Sequence, residues 1–182
     1  MFEPYGGGIQ KRFRDASLVE RLRRIMLRTV WAITEQMKLG KFDTVDSEVS
    51  FRMDKEKQTY IGRVDRIDTM ETEENIYVKI VDYKTGKKDL SLSDLYYGLQ
   101  LQLMVYLRAA VDKQTRRSKK MVIPAGVLYY HIEDPFVTSR LDFEEKRTYL
   151  LNELLMRGLV NEEDPVLPSL DATLAGEEGA LA

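Results

Sequence analysis

Residues 76–84 read IYVKIVDYK, a run of β-branched and aromatic residues that is typical of a buried strand. Because side chains alternate along a strand, Asp82 and Lys84 are expected on the same face as Val78 and Ile80. An apolar face that ends in an acid and a base is unusual, since buried charges are costly unless they are paired or bound to a metal. This strand therefore predicts either a salt bridge at the margin of the core or a reactive site.

Two further strands come before this one, over residues 45–53 and 59–67. Short polar turns separate the three strands, which predicts an antiparallel meander. The second strand carries Asp65, and an antiparallel neighbour can place that residue beside Asp82. Two carboxylates brought together inside a sheet repel each other unless a cation lies between them. The pair therefore favours a metal site.

Four other residues are predicted to support this pair. Gly62 has no side chain, which would let a phosphate or a metal approach the second strand. Gln102 and Tyr106 are four residues apart, so they share one face of a predicted helix and could contact a phosphate. Glu48, on the first strand, is a weaker candidate for a supporting or metal-binding role.

The remaining elements follow from hydrophobic periodicity and helix caps. They are a helix over 17–39 with Ser17 and Glu20 as a capping box, a helix over 93–111 capped by Ser91 or Ser93, a strand over 122–132, and a helix that begins at Asp142 and Glu145 and ends near 158. The strand that follows a helix can join the sheet by a crossover connection. The order predicts an α/β domain with a mixed sheet over 17–160. Residues 1–16 are expected to be an N-terminal extension and 161–182 a flexible tail.

Composition limits the chemistry that is available to the chain. There is no cysteine and the only histidine is His131, which excludes disulfides, thiolate metal sites and most zinc chemistry. A metal would have to be bound by carboxylates and carbonyls, which suits Mg²⁺ or Mn²⁺. The net charge of −2 gives no general basic field for nucleic acid. No apolar run is long enough to span a bilayer, so no membrane contact and a cytoplasmic location are expected.

Three spaced motifs resemble the RecB-type branch of the PD-(D/E)XK nuclease superfamily. They are Gly62-x-x-Asp65, Val81-Asp82-Tyr83-Lys84-Thr85-Gly86 and Gln102-x-x-x-Tyr106. The longer segments GRVDRID (62–68), IVDYKTG (80–86), DLYYGLQLQLMVYL (94–107), GVLYYHIEDP (126–135) and RGLV (157–160) are similar to the C-terminal nuclease domains of the AddB (RexB) family. The resemblance implies a restriction-endonuclease-like α/β core with helices on both sides of the sheet.

The resemblance also implies roles for individual residues. Asp65 and Asp82 would ligate Mg²⁺ or Mn²⁺, with the backbone carbonyl of Tyr83 as a third candidate ligand. Lys84 would orient or activate the attacking water and offset the charge that develops on the phosphate. Gln102 and Tyr106 would support the site and contact DNA. A hard cation held by oxygen ligands lowers the pKa of bound water and stabilises the transition state of phosphodiester hydrolysis.

The family resemblance further implies a substrate and a partner. The substrate would be DNA, as single strands or duplex ends, and the partner an AddA-like helicase–nuclease subunit that processes double-strand breaks for recombinational repair. Members of this family carry four cysteines that hold a 4Fe-4S cluster, which is not possible in this chain because it has no cysteine. The usual histidine on a helix before the first strand is also missing, since His131 lies on a late strand.

Two other functions fit the same motifs. The domain could be a nuclease-like module that only binds DNA or serves as a scaffold, or a stand-alone RecB-like exonuclease. Inactivated relatives typically lose the acid or the lysine, whereas this sequence keeps Asp65, Asp82 and Lys84. The retained residues favour a metal-dependent (exo)deoxyribonuclease, and a cleavage assay with metal separates the alternatives.

Overall fold

The computed structural model describes residues 7–55, 58–86, 90–98, 100–163 and 165–172. In chain order the elements are α1 (Gly7–Leu39), β1 (Asp43–Lys55), β2 (Gln58–Glu71), β3 (Asn75–Lys84), α2 (Leu92–Tyr96), α3 (Gln102–Arg117), β4 (Met121–His131), α4 (Phe143–Glu153), β5 (Arg157–Val160) and α5 (Val166–Leu170). Residues 1–6 of the predicted extension and 173–182 of the predicted tail lie outside the described residues.

The strands form one mixed sheet in the order β1-β2-β3-β4-β5. β1, β2 and β3 pair antiparallel, which confirms the predicted meander. β4 lies parallel to β3 and is reached through α3, which confirms the predicted crossover connection. β5, antiparallel to β4, was not predicted because its four residues are too short a run to show alternation.

The face of β3 that carries Val78 and Ile80 is called the front face here. α3 covers it, and its residues Leu103 and Ala110 pack with both strand residues in the main core. Val78, Ile80 and Leu103 are each fully buried. Burial of one such side chain contributes about 1.5–3 kcal/mol, so the front face anchors α3 to the sheet.

The opposite face, which carries Tyr77 and Val81, is called the back face. Ile33 of α1 packs there against Val81, and Phe42, just after α1, packs with Tyr77. Val166 of α5 joins the second of these clusters and is fully buried. Residues 165–172 therefore belong to the packed fold, which corrects the expectation of a tail from 161 onward. α5 has only five residues, with Pro165 before it and Pro168 inside it, which is too short a pattern to predict a helix.

α1 begins at Gly7, ten residues before the predicted start at Ser17. The predicted capping box is wrong because Ser17 and Glu20 lie inside a continuous helix, where the same spacing simply places two polar residues on an exposed face. Further along the helix, Arg24 and Arg28 bind the carboxylate of Asp134 at 2.5 and 2.7 Å. These ion pairs attach the segment after β4 to α1.

The single helix predicted over 93–111 is two helices, α2 and α3, separated by residues 97–101. Gly98 has a φ of +75°, a conformation that glycine adopts without strain and that stops α2. The start was predicted correctly, since the Ser91 side chain accepts a hydrogen bond from the backbone N–H of Asp94 at 3.1 Å. The break lets α3 begin at Gln102.

The capping box of the last predicted helix is confirmed in α4. Asp142 accepts a hydrogen bond from the N–H of Glu145 at 2.9 Å, and the Asp142 N–H donates to the Glu145 side chain at 2.8 Å. The helix ends at Glu153 rather than near 158, because the chain turns there into β5. Over the ranges that the structure describes, no helix is long and apolar enough to cross a membrane.

Candidate active site

The end of β3 carries an acid and a base on the front face, as predicted. The Nζ atom of Lys84 lies 2.6 Å from Oδ2 of Asp82. The Asp82 side chain is only 5% exposed, whereas that of Lys84 is 30% exposed. The lysine therefore reaches from solvent toward a buried carboxylate.

Asp65 meets this pair where β2 and β3 separate. The last paired residues of the two strands are Arg66 and Val81, so Asp65 and Asp82 are the next residues on their strands. Oδ2 of Asp65 accepts a hydrogen bond from the backbone N–H of Tyr83 at 3.0 Å. The carboxylate thus takes over a donor that the antiparallel ladder would otherwise have satisfied. The structure brings Asp65, Asp82 and Lys84 together.

In the pair of Asp82 and Lys84, the surroundings disfavour the charged form of the carboxylate. Burial raises the pKa of Asp82, and the charge of Asp65 raises it further, although Lys84 acts in the opposite direction. Burial alone would lower the pKa of Lys84, but its close contact with Asp82 outweighs burial and raises it. The Lys84 ammonium is an ion-pair partner 2.6 Å from the buried Oδ2 of Asp82, but within the described residues no donor is aligned with that oxygen for a hydrogen bond. A cation with free ligand positions would satisfy that oxygen.

β4 contributes two residues that the sequence analysis missed. Tyr129 pairs with Asp82 across the parallel ladder, and its ring centroid lies 5.4 Å from the Nζ of Lys84. His131 pairs with Lys84, and its Nδ1 is 2.7 Å from the carbonyl oxygen of Gly86. A ring face under an ammonium favours its charged state. The alternation in GVLYYH could have indicated these residues, but only once the register of β4 against β3 was known.

Gln102 and Tyr106 lie in the first turns of α3, on one face as predicted. The Gln102 Nε2 donates a hydrogen bond to the Tyr106 hydroxyl at 2.8 Å. The Tyr106 ring packs edge-on against Phe51 of β1, with centroids 5.5 Å apart. Among the described residues, no hydrogen bond joins either side chain to Asp65 or Asp82. The structure therefore places them beside each other at the start of α3.

Gly62 has a different role from the one predicted. A Cβ atom at this position would lie 2.9 Å from ring atoms of both Phe51 and Tyr106. The space above the glycine is thus filled by two aromatic rings and is not open to a phosphate or a metal. The glycine allows α3 to pack closely on the hairpin of β1 and β2.

Glu48 lies opposite Asp65 in the register of β1 and β2, between the pairs Ser47–Arg66 and Val49–Val64. Its φ of 55° is in the left-handed region, which is uncommon for a residue with a side chain. Its carboxylate is 2.7 Å from Arg63 and is largely exposed. No hydrogen bond or ion pair joins Glu48 to either aspartate in the described part of the chain, so its supporting role stays a prediction.

The donor set at this site fits Mg²⁺ or Mn²⁺. Both ions prefer oxygen ligands, and Asp65 and Asp82 supply carboxylates next to the main chain of Tyr83. The described ranges contain no cluster of three or more His, Asp or Glu side chains. A metal at this site would therefore need main-chain oxygen, water or substrate as its other ligands, which is usual for Mg²⁺.

A cavity of about 400 Å³ lies elsewhere, between β1 and α3. Val49, Phe51 and Val64 form part of its apolar floor, and Lys113 and Arg116 lie at its rim. Neither Asp82 nor Lys84 lines this cavity. Its apolar floor offers no pair of acids for a metal, so it does not compete with the site at the end of β3.

Comparison with known proteins points to one family. The sequence profile of the PD-(D/E)XK nuclease superfamily matches residues 6–176 of this chain. Similar proteins, each named as the B subunit of an ATP-dependent helicase/deoxyribonuclease, occur in Ruminiclostridium cellulolyticum (38% identical over 93% of this chain), Lachnoclostridium phytofermentans (41% over 99%) and Clostridium novyi (36% over 96%). The chain covers 16%, 16% and 17% of these relatives, respectively, which is about one sixth of their length.

Proposed function

This chain belongs to the PD-(D/E)XK nuclease superfamily, and on that premise we propose that it hydrolyses phosphodiester bonds of DNA with Mg²⁺ or Mn²⁺ at Asp65, Asp82 and Lys84. The observation that carries the proposal is the buried carboxylate of Asp82, which lies 2.6 Å from the Lys84 ammonium and close to a second carboxylate, that of Asp65. A purely structural ion pair would have matched charges, whereas here two carboxylates lie beside one ammonium.

Each residue has a distinct task in this proposal. Asp65 and Asp82 would hold the metal, with the Tyr83 carbonyl as a third ligand and Glu48 in a supporting role. When bound, the metal supplies an activated water and offsets the charge that develops on the phosphate. Lys84 positions the water through its ammonium group and adds positive charge near the scissile phosphate.

The ends of neighbouring elements are proposed to receive the DNA. Tyr129 holds the ammonium of Lys84 over its ring, and His131 anchors the main chain at Gly86 just after it. Gln102 and Tyr106, at the start of α3, would contact the phosphate backbone beside the site. These groups let the strand of DNA lie across the ends of β3 and β4.

The relatives' names suggest a wider context. Those proteins are named as subunits of a helicase/deoxyribonuclease, and this chain matches about one sixth of their length. We propose that the domain works beside an AddA-like helicase–nuclease subunit in the cytoplasm, where it degrades a strand during repair of double-strand breaks. A stand-alone exonuclease is the alternative assembly.

The experiment combines cleavage with metal binding. Wild type and Asp82→Asn are incubated with single-stranded and duplex-ended DNA in Mg²⁺, Mn²⁺ or EDTA, and Mn²⁺ affinity is measured by titration. Wild type should cleave only with metal, and Asp82→Asn should lose cleavage and bind Mn²⁺ at least about tenfold more weakly. Glu71→Gln, an exposed acid at the far end of β2, is the matched control and should change neither result.

Two outcomes would contradict the proposal. Equal Mn²⁺ binding by wild type and Asp82→Asn would mean that the metal does not bind at Asp82. DNA binding without metal-dependent cleavage by the wild type, with the candidate partner subunit present, would favour a scaffold function.

A further inference from the structure

The back face of the sheet holds a second buried group of charges, directly behind the candidate active site. Arg66 donates two hydrogen bonds of 2.7 Å to the carboxylate of Asp68, one to each oxygen. Thr44 donates to the same carboxylate at 2.8 Å, and the Nζ of Lys79 lies 3.5 Å from it. Asp68 is fully buried, and both cations are less than one tenth exposed. We call these four residues the back cluster.

Arg66 also reaches beyond the back cluster. Its Nη1 donates to the hydroxyl of Tyr83 at 3.5 Å. Tyr83 is the residue between Asp82 and Lys84, and its side chain points to the back face, where it packs edge-on against Tyr130 at 6.0 Å. We call residues 82–84 the catalytic segment. The back cluster is thus connected to the catalytic segment through the side chain of Tyr83.

That connection matters because the ladder between β2 and β3 stops at Arg66 and Val81. Beyond this pair, the β2 side of Tyr83 is held by side chains and no longer by strand pairing. The carboxylate of Asp65 accepts from the Tyr83 N–H at 3.0 Å, and Arg66 binds the phenol. Two consecutive residues of β2 therefore hold the backbone and the ring of one residue.

A buried guanidinium needs compensation, and the back cluster provides it. Desolvation of Arg66 is unfavourable, but its pKa is nevertheless raised because Asp68 binds it in a bidentate pair. Lys79 contacts Asp68 and lies 4.9 Å from the centre of the Phe42 ring, and no contact joins it to Tyr83 in the described residues. The two cations of the back cluster thus differ in one respect, which is contact with the catalytic segment.

We propose that Arg66 is a positioning residue of the nuclease centre: held by Asp68, it fixes Tyr83 from the back of the sheet, so that the main chain between Asp82 and Lys84 stays in place for the metal and the attacking water. This inference rests on the proposed function of Asp65, Asp82 and Lys84. It adds a fourth residue to the site. Asp65 has to bind the metal while it also accepts the hydrogen bond from the Tyr83 N–H, so a second group is needed to fix Tyr83.

The test uses matched variants of the whole chain. Arg66→Met removes one cation of the back cluster and leaves Asp68 paired with Lys79, whereas Lys79→Met removes the other cation and leaves Asp68 paired with Arg66. Tyr83→Phe removes only the hydroxyl and keeps the ring contact with Tyr130. Wild type and these three variants are compared for hydrogen exchange of the amide of residue 83, for Mn²⁺ affinity, and for kcat and KM on DNA.

Arg66→Met and Tyr83→Phe should speed exchange at residue 83, weaken Mn²⁺ binding about tenfold and lower kcat with little change in KM. Lys79→Met should stay within about twofold of wild type in all three measurements. If Arg66→Met does not fold, Tyr83→Phe decides the matter alone. The proposal is overturned if Arg66→Met or Tyr83→Phe behaves like Lys79→Met.

Failure of the proposed function gives a different pattern. If wild type neither binds Mn²⁺ nor cleaves DNA, the metal site is wrong, and amide exchange at residue 83 alone then decides whether Arg66 holds Tyr83. Unchanged exchange in both variants would refute the role of Arg66 even if the wild type is an active nuclease.

Discussion

The front and back faces of β2 and β3 each carry a buried carboxylate, and they treat it differently. On the back face, Asp68 receives Arg66, Thr44 and Lys79, so both of its oxygens have partners. On the front face, Lys84 is the one cation that forms an ion pair with Asp82 among the described residues, and a second aspartate, Asp65, lies close by. The same two strands thus hold one carboxylate with hydrogen-bond donors on both oxygens, which we call satisfied, and one that lies beside a second carboxylate and a single lysine, which we call unsatisfied. Unsatisfied, like-charged groups in a protein interior are typical of functional sites.

The difference suggests what removal of each residue will do. A satisfied carboxylate is needed for stability, because its loss leaves buried cations without a counter-charge. An unsatisfied carboxylate is needed for chemistry, and its loss relieves an unfavourable arrangement. The four predictions that follow test this distinction.

The largest effect is expected at Lys84. Lys84→Met should lower kcat for metal-dependent DNA cleavage about a thousandfold, which corresponds to about 4 kcal/mol of transition-state stabilisation. Affinity for DNA should change less than about twofold, because the ammonium is assigned to the water and the transition state. Turnover and equilibrium binding are measured in parallel. Cleavage at the wild-type rate would exclude the lysine from the mechanism.

The next effect concerns the back face. Asp68→Asn should lower the free energy of unfolding by about 3 kcal/mol, since Arg66 and Lys79 would remain buried with their charges uncompensated. Urea denaturation in metal-free buffer measures the change. The matched variant on the front face is Asp82→Asn, which should show no such loss. Equal losses at the two positions would contradict the proposed difference between the faces.

A smaller effect is expected at Gly62, where packing rather than charge is at stake. Gly62→Ala should lower the free energy of unfolding by about 1–2 kcal/mol, because the new Cβ lies 2.9 Å from two aromatic rings. Gly86→Ala is the control, as a Cβ there has no heavy atom within 4 Å. A neutral Gly62→Ala would mean that Phe51 and Tyr106 can move apart easily.

The smallest effect is the stability change at Asp82 itself. Burial raises the pKa of this carboxyl in the folded chain, so its deprotonation costs stability as pH rises from the ordinary carboxyl range through the raised pKa. Without metal, Asp82→Asn should therefore unfold at the same temperature as wild type or up to about 3 °C higher at neutral pH. The advantage should vanish near and below pH 4, about where Asp82 is protonated in both states. Thermal unfolding at several pH values measures it, and a variant less stable at neutral pH would identify Asp82 as structural.

Sequence patterns predicted the front face well because the relevant signals are local. The alternation in residues 76–84 is enough to place Asp82 and Lys84 on one side, and short turns are enough to place Asp65 opposite. The cap of α4 at Asp142 was likewise predicted, because both of its hydrogen bonds join residues three apart. The family match to residues 6–176 agrees with the fold that the motifs implied.

Features that depend on distant contacts were missed. Gly62 was predicted to leave room for a phosphate or a metal, but the rings of Phe51 and Tyr106 fill the space beside it. Tyr129 and His131 reach the site only through the register of a parallel ladder. α1 was predicted to start too late because Ser17 has the spacing of a cap without the position of one. The backbone of Gly98, which divides α2 from α3, was hidden inside an apparently continuous pattern.

The parallel ladder between β3 and β4 also has a consequence for the order of folding. It joins Asp82 to Tyr129, which are 47 residues apart, whereas β2 and β3 meet across a turn at residues 72–74. Closing the longer loop costs about 2 kcal/mol more chain entropy than closing this three-residue turn. The meander should therefore form early and β4 should dock late, so that substitutions at Tyr129 speed unfolding more than they slow folding. The candidate active site, which needs both strands, is therefore completed late in folding.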